Sequence, residues 1–174
     1  MIHPELFTDI EEAVFKDAHI TRCGKFRYWL VRKWNPGENY ICWIMLNPST
    51  TDASKDDPTI KRCITFSKKW GFDGLYVVNL YAYRATDPKE LKKAGFPKGE
   101  FNDFFVKFIA SICKKVVCAW GNHGQYKNRY YEILKLLLPH SVKVYSLGYT
   151  KTKQPKHPLY VCGDTELIQG KGKS

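Results

Sequence analysis

The sequence predicts an α/β fold, a three-layer α/β/α sandwich around a mostly parallel, four-stranded central sheet, and three observations carry that expectation. Apolar runs at residues 40–46, 75–83, 116–120 and 142–148 are short and near-continuous rather than alternating, as in strands buried on both faces. The segments between them are long enough for helices, and such strand–helix alternation builds a parallel sheet covered by helices. Polar groups stand at the ends of these runs or within them: Asn47-Pro48-Ser49, Asn79, and Gly121-Asn122-His123-Gly124. With 174 residues, neither repeat nor linker, the chain reads as one domain over 1–174, its core at about 26–162 and a basic tail at 163–174.

Taken in order, residues 7–18 are ambiguous. Thr8-Asp9, Glu11-Glu12 and a mild periodicity (Ile10, Val14, Phe15) fit either a short capped helix or an irregular lead-in. Residues 26–34 read as a strand and Asn35-Pro36-Gly37-Glu38-Asn39 as a turn, so that 26–34 and 40–46 make an antiparallel hairpin. Pro48 bars the α region at Asn47 and fixes its own φ, which stiffens the turn closing the second run. Residues 59–69 are a helix with Ile60, Cys63, Ile64 and Ser67 on one face, capped by Asp56 or Asp57, with Pro58 suited to its first position. The run at 75–83 follows, then a turn at 84–88, a short helical piece at 89–94, and a helix at 102–114 striped by Phe104, Phe105, Phe108, Ile109 and Ile112. The run at 116–120, a helix at 130–138, the run at 142–148, a basic loop at 150–160 and a frayed end at 169–174 complete the chain.

Composition narrows the function. A hydrophobic fraction of 44% and an aromatic fraction of 15% exclude a disordered chain. Lys and Arg number 28 against 17 acids, a formal charge of +11, which favours a polyanionic partner: nucleic acid first, an anionic membrane surface second. The six cysteines lack C-x-x-C spacing, and Cys42 and Cys118 lie in apolar runs, as expected of reduced thiols in the cytoplasm. Cys113 and Cys118 have no second pair to complete a metal site, so no metal and no cofactor is expected. The start, Met1-Ile2-His3-Pro4-Glu5, has no signal-peptide pattern, and no apolar run reaches membrane-spanning length. A cytoplasmic monomer without membrane contact is the expectation.

Ligands of open α/β sheets collect at the carboxyl ends of the strands. That rule singles out Asn47 and Ser49, Asn79 and Arg84, Asn122 and His123, and the loop holding His157. Asn79 lies amid Val77, Val78, Leu80 and Tyr81, where an unpaired amide costs on the order of 1–3 kcal/mol. It either ties down a loop or offers one donor and one acceptor to a ligand, the pattern that reads a nucleobase edge. Phe66, Trp70, Tyr81 and Tyr83 are close in sequence to these loops and offer faces on which bases stack. Lys127 and Arg129, and the flank Lys151, Lys153 and Lys156, would meet phosphates.

The order of motifs resembles that of the uracil-DNA glycosylase superfamily. The corresponding residues are Leu46-Asn47-Pro48-Ser49, Phe66, Val77-Val78-Asn79-Leu80, Ala119-Trp120-Gly121-Asn122-His123-Gly124 and His157-Pro158-Leu159-Tyr160. The resemblance implies a four-stranded parallel sheet flanked by helices, with Asn47 orienting a hydrolytic water, Phe66 stacking on the base, Asn79 reading it, and His157 stabilising it as it departs. Met45 and Ser49 depart from the superfamily's loop, which suits a pocket opened for a larger, modified pyrimidine. A closer resemblance is to a family of small bacterial and phage domains of unknown function that share the N-P-S-T, D-P-T-I-x-R-C, V-N-L-Y-A-Y-R, A-W-G and H-P-L-Y blocks.

The expected function is therefore that of a monofunctional DNA glycosylase. It would hydrolyse the N-glycosidic bond of a flipped, modified pyrimidine, in duplex or single-stranded DNA, and leave an abasic site, with defence against phage as a natural setting. Asn47 and His157 would be catalytic; Asn79, Phe66, Ser49, Tyr81 and His123 would bind the base, His123 being a second candidate for the role of His157. Arg62, Arg84, Lys127, Arg129, Lys151, Lys153 and Lys156 would hold DNA. Two rival expectations are a non-catalytic binder of modified or damaged nucleic acid and an enzyme acting on free nucleotides.

Overall fold

The computed structural model describes residues 15–140 and 142–170, and in it seven strands form one mixed sheet. In chain order the elements are β1 (Phe15–Ile20), β2 (Arg27–Lys33), β3 (Tyr40–Met45), α1 (Pro58–Lys69), β4 (Gly74–Asn79), α2 (Pro88–Lys93), α3 (Asn102–Ile112), β5 (Lys115–Cys118), α4 (Arg129–Leu137), β6 (Val144–Ser146) and β7 (Ile168–Gln169). The strand order is β1-β2-β4-β3-β5-β6-β7. Strands β4, β3, β5 and β6 run parallel, and the antiparallel strands β2 and β7 flank them, with β1 outside β2.

The apolar runs are thus the parallel centre of a larger sheet, not the whole of a four-stranded one. Burial explains the placement. Every residue of β3 after Tyr40 is buried, and such a strand needs a neighbour on each side and helices above and below. Helix α1 covers one face, where Ile60, Cys63 and Phe66 pack against Trp43, Met45, Leu75, Val77 and Val117. Helices α2, α3 and α4 cover the other, with Leu91, Val106, Ile109, Ala110, Ile133 and Leu137 against Cys42, Ile44, Val78, Val116 and Cys118.

Four expectations are corrected. Residues 26–34 and 40–46 do not form a hairpin, because β2 pairs antiparallel with β4 (Leu30↔Val77) while β3 pairs parallel with β4 (Trp43↔Val77). The turn between them is instead anchored to Asp73 at the entry to β4: Trp34 N–H and Asn35 N–H donate to its carbonyl, and Asn39 N–H to its carboxylate. The lead-in is neither helix nor irregular from Phe15 onward, since β1 is an edge strand whose Lys16 and Asp17 suit an exposed edge; residues 7–14 lie outside the described part. The core does not stop at 162, because β7 adds to β6 (Ser146↔Ile168); only 171–174 of the tail lie outside the described residues. The expected stripe of α3 is split: Phe104, Phe108 and Ile112 are exposed, Phe104 at 62%, Phe105 packs on Tyr28, and Ile109 turns inward with Asn102, Val106 and Ala110.

Candidate functional site

The chain adds β4 on one side of β3 and then β5 on the other, so the carboxyl ends of β3 and β5 flank a topological switch point. Three segments converge there: residues 47–57 after β3, the turn after β5, and the loop that follows β6. Gly121 ends β5 with φ +70°, and its N–H donates to Pro155 O at 2.9 Å. A Cβ there would come within 3.5 Å of that of His157, so the returning loop lies directly over the strand end. Gly124 is required by packing: a Cβ would stand 1.8 Å from Trp120 Cδ1.

Helix α1 builds one wall. Asp57 is its N-cap, with Oδ1 accepting from Ile60 N–H at 2.9 Å and Oδ2 from Ser49 Oγ–H at 2.8 Å. One turn on, Arg62 donates through Nε to Pro158 O at 3.2 Å and through Nη2 to Val161 O at 2.7 Å. Its guanidinium also lies over the Phe66 ring, 4.7 Å from the centroid. Arg62 thereby fastens the His157-Pro158-Leu159-Tyr160 turn onto α1 and sets where His157 stands.

His157 is half-buried, and its Nδ1 accepts from Leu159 N–H at 3.2 Å. That bond places the proton of the neutral ring on Nε2. Burial lowers the pKa of the ring, with the nearby Asp57 carboxylate opposing the shift. The ring is therefore a neutral Nε2–H donor near pH 7.

A second set of bonds locks the loops after β3 and β4 together. Asn47 Nδ2 donates to Ala85 O at 2.8 Å, to Pro48 O at 3.1 Å and to Tyr83 O at 3.4 Å. Arg84 answers, donating to Gly24 O and Thr50 O at 2.9 Å, Thr51 O at 3.2 Å and Ser49 O at 3.4 Å. Both side chains fix the rim, and Asn47 Oδ1, an acceptor, makes no hydrogen bond to a described residue.

Two side chains at this rim differ from all of these. Asn79 ends β4 level with Met45 on β3, so its side chain shares the α1 face with Met45 and Val77. It is 1% exposed, and neither Oδ1 nor Nδ2 has a hydrogen-bond partner among the described residues. Arg27, at the start of β2, lies beside the end of β4, its N–H donating to Ala82 O. It is 3% exposed, and its Nε has no partner among the described residues either. Burial lowers the pKa of Arg27 to about 10, against the attraction of Asp57 and with the repulsion of Arg84 and Arg32. Asp57 is thus a charged neighbour of both Arg27 and His157.

A family model matches residues 27–159, which includes Arg27, Asn47, Ser49, Asp57, Arg62, Asn79, Arg84 and His157. The chain belongs to the DUF1643 family. The family is described as one of unknown function, and no curated protein and no solved structure matches the chain. Within this DUF1643 domain the blocks noted in the sequence fall on the rim. N-P-S-T and A-Y-R are the interlocked loops, D-P-T-I-x-R-C is the first turn and a half of α1, and H-P-L-Y is the turn that Arg62 fastens.

The other residues singled out from the sequence lie elsewhere. Phe66 is 1% exposed, stacked on Trp70 at 5.1 Å beneath Arg62, so its ring is enclosed in the core and has no face for a base. Tyr81 is buried on the opposite face, its hydroxyl donating to Tyr126 O, and burial pushes its pKa up to about 12. His123 stacks on Tyr126 at the surface of that same side, away from Asn79. Arg129 is buried, paired with Asp103 and Glu132 and donating to Leu80 O, which leaves nothing for a phosphate. Lys127 donates to Gly95 O and lies over Phe96. Lys151, Lys153 and Lys156 are exposed on the loop that returns to Gly121. Arg62 and Arg84 are fastenings, as described. Asp57, which the sequence left open between a helix cap and a pocket element, caps α1 and belongs to the rim, and so does Arg27, which the sequence did not single out. The pairing of Asp57 with Ser49 was foreshadowed only by its place before Pro58, and nothing in the local sequence marks Arg27.

Among the described residues, all six cysteines are free and no group of three His, Cys, Asp or Glu could hold a metal ion. No described helix is long and apolar enough to cross a membrane.

Proposed function

We propose that this domain hydrolyses the N-glycosidic bond of a nucleobase in DNA, binding the flipped base at the carboxyl ends of β3, β4 and β5 on the α1 side. The observation that carries the reading is Asn79: a fully buried carboxamide with donor and acceptor both unpaired, at the strand end where ligands of such sheets collect. Leaving such a group unpaired costs on the order of 1–3 kcal/mol, and a base edge would satisfy both atoms at once. The motif order shared with the uracil-DNA glycosylase superfamily supports it, because Asn79 and His157 are the positions which that resemblance assigns to base reading and to departure of the base.

The chemistry follows from the groups present. As the glycosidic bond breaks, negative charge accumulates on the base, and a neutral Nε2–H of His157 donates to it without a net charge having to be buried. Positive charge develops on the sugar, and Asp57, held by Ser49 and by the first turn of α1, is the rim carboxylate that opposes it. Asn47 Oδ1 is the acceptor left to orient an attacking water, its donors being committed to the loop after β4. The aromatic face once expected of Phe66 is not needed for this chemistry. Lys151, Lys153 and Lys156 would contact phosphates beside the site.

The test is abasic-site formation. DNA containing uracil, unmodified DNA and DNA with modified pyrimidines would be incubated with the protein, cleaved with alkali, and the released base identified by mass spectrometry. Release that is lost in His157→Gln and Asn79→Leu, both folded, supports the reading. No release, with salt-dependent DNA binding intact, makes the domain a non-catalytic binder; weak DNA binding with turnover of free nucleotides makes it a nucleotide enzyme.

A further inference from the structure

Each buried or half-buried arginine among the described residues donates to protein acceptors through its side chain, except Arg27. Arg32 donates to Asp56, Ala53 O, Val31 O and Asp17 O. Arg84 donates to four carbonyls, Arg62 to two, and Arg129 to Asp103, Glu132 and Leu80 O. Arg27 is as buried as Arg129, yet its guanidinium donates to no described residue, and its Nε is sealed from solvent without a partner. No described carboxylate forms an ion pair with it. Its charged neighbours are Asp57, which attracts it, and Arg84 and Arg32, which repel it.

Charged groups this deep in a fold are ordinarily paired, because desolvation without a partner is unfavourable. A guanidinium presents its N–H groups as a planar fork, whose matching partner is an oxyanion with two coplanar acceptors. Asn79 lies one strand away at the same rim; of the four described side chains with a buried unpaired polar atom, the others being Trp70 and Asn102, it alone has both a donor and an acceptor free.

We propose that Arg27 and Asn79 form an oxyanion-binding subsite, in which Arg27 takes a carboxylate or phosphate group of the ligand and Asn79 reads the adjoining polar edge. The anion selectivity stands on these two side chains; only the identity of the attached group as a nucleobase or nucleotide rests on the function proposed above. A guanidinium in the pocket selects bases or nucleotides that carry negative charge and discriminates against neutral ones.

Isothermal titration on the full chain, at one ionic strength held with KCl, tests this with four probes: uracil, 5-carboxyuracil, deoxyuridine and deoxyuridine monophosphate. The expected result is at least tenfold tighter binding of one charged probe than of its neutral counterpart, from a charge-assisted bidentate contact. A gain for 5-carboxyuracil assigns the anion to the base, and a gain for the monophosphate assigns it to the nucleotide. In Arg27→Met the preference falls to within twofold, and in Arg27→Lys it is reduced but retained. Equal affinities within each pair on the wild-type chain overturn the proposal, whether or not the variants fold; so does a folded Arg27→Met that keeps the preference. Base release without anion preference would leave the glycosylase reading standing and remove this one, and anion preference without base release would do the reverse.

Discussion

Replacing Asn79 by leucine should make the protein more stable and inactive at the same time. The side chain is 1% exposed, and both amide atoms lack partners, so the folded state carries a desolvation cost that the unfolded chain, hydrated by water, does not. Removing it recovers on the order of 1–3 kcal/mol. Leucine keeps the branching of asparagine but is larger, and it faces Met45 and Val77, so its apolar burial of about 1.5–3 kcal/mol is offset by an overpacking cost of about 1–3 kcal/mol. A net stabilisation of about 1–3 kcal/mol corresponds to a rise in melting temperature of roughly 2–12 °C for a chain of this size. Equilibrium urea unfolding gives the free energy, with an unchanged slope showing that the folded and unfolded ensembles are otherwise the same. Destabilisation by more than about 1 kcal/mol would refute the reasoning, because it would mean that the amide is hydrogen-bonded in the folded protein and serves the fold. Stabilisation without loss of ligand binding would refute the functional half alone.

Arg62→Ala should destabilise the protein by about 2–4 kcal/mol through two lost charge-assisted hydrogen bonds, and amide exchange should speed up at 158–161 more than elsewhere. His157 titrates lower in the folded state than its ordinary 6.5, so below about pH 6.5 the unfolded chain binds the proton first. Stability assigned to this ring is therefore complete above pH 6.5 and is lost as the pH falls through the folded-state pKa; His157→Gln should flatten that part of the curve, measured by urea unfolding from pH 5 to 8. Cys23 and Cys162 are exposed, and the Thr21 hydroxyl lowers the pKa of Cys23, so a thiol reagent should modify Cys23 fastest and leave the buried Cys42, Cys63 and Cys118 intact until the protein unfolds. Changing Lys151, Lys153 and Lys156 to glutamine should leave stability within about 0.5 kcal/mol. The same change should reduce the salt dependence of duplex binding by up to about 2.7 in log–log slope, measured by titration at several salt concentrations.

What could be read from the sequence was local. Four apolar runs marked the parallel strands, Pro58 after Asp57 marked the start of α1, and an asparagine among valines marked Asn79 as a group in need of an explanation. Pairing partners were not legible, because the contact between Leu30 and Val77 is nonlocal and a five-residue turn before β3 looks the same whether or not the next strand pairs with the last. The inward face of α3 was not legible because apolar residues occur on two sides of it: Phe104 and Phe108 stack on each other outside, while Val106, Ile109 and Ala110 pack inside. Phe66 was misread for a related reason, since an aromatic near a loop in sequence can point down the helix into the core, as this one does toward Trp43 and Trp70.

The least legible distinction was between arginines that hold the fold together and one that does not. Arg84 and Arg129 look like phosphate ligands in a chain of formal charge +11, yet apart from Glu132, at i+3 from Arg129, their acceptors come from segments some 25 to 60 residues away, which no spacing rule reveals. Once those bonds are drawn, much of the arginine charge belongs to the architecture, and the cations left for a polyanion are chiefly surface lysines. Among the described residues, four side chains are left with a buried polar atom unpaired: Arg27, Asn79, Trp70 and Asn102. A fold that satisfies Arg32, Arg62, Arg84, Arg129 and Asn47 with two to four acceptors each had the means to satisfy more side chains. Trp70 Nε1 lies at the far end of α1 and Asn102 Oδ1 on α3, whereas Arg27 and Asn79 stand on neighbouring strands at the carboxyl end of β4, with Asp57 a charged neighbour of Arg27, and that shared place is the reason to assign their unpaired groups to a ligand.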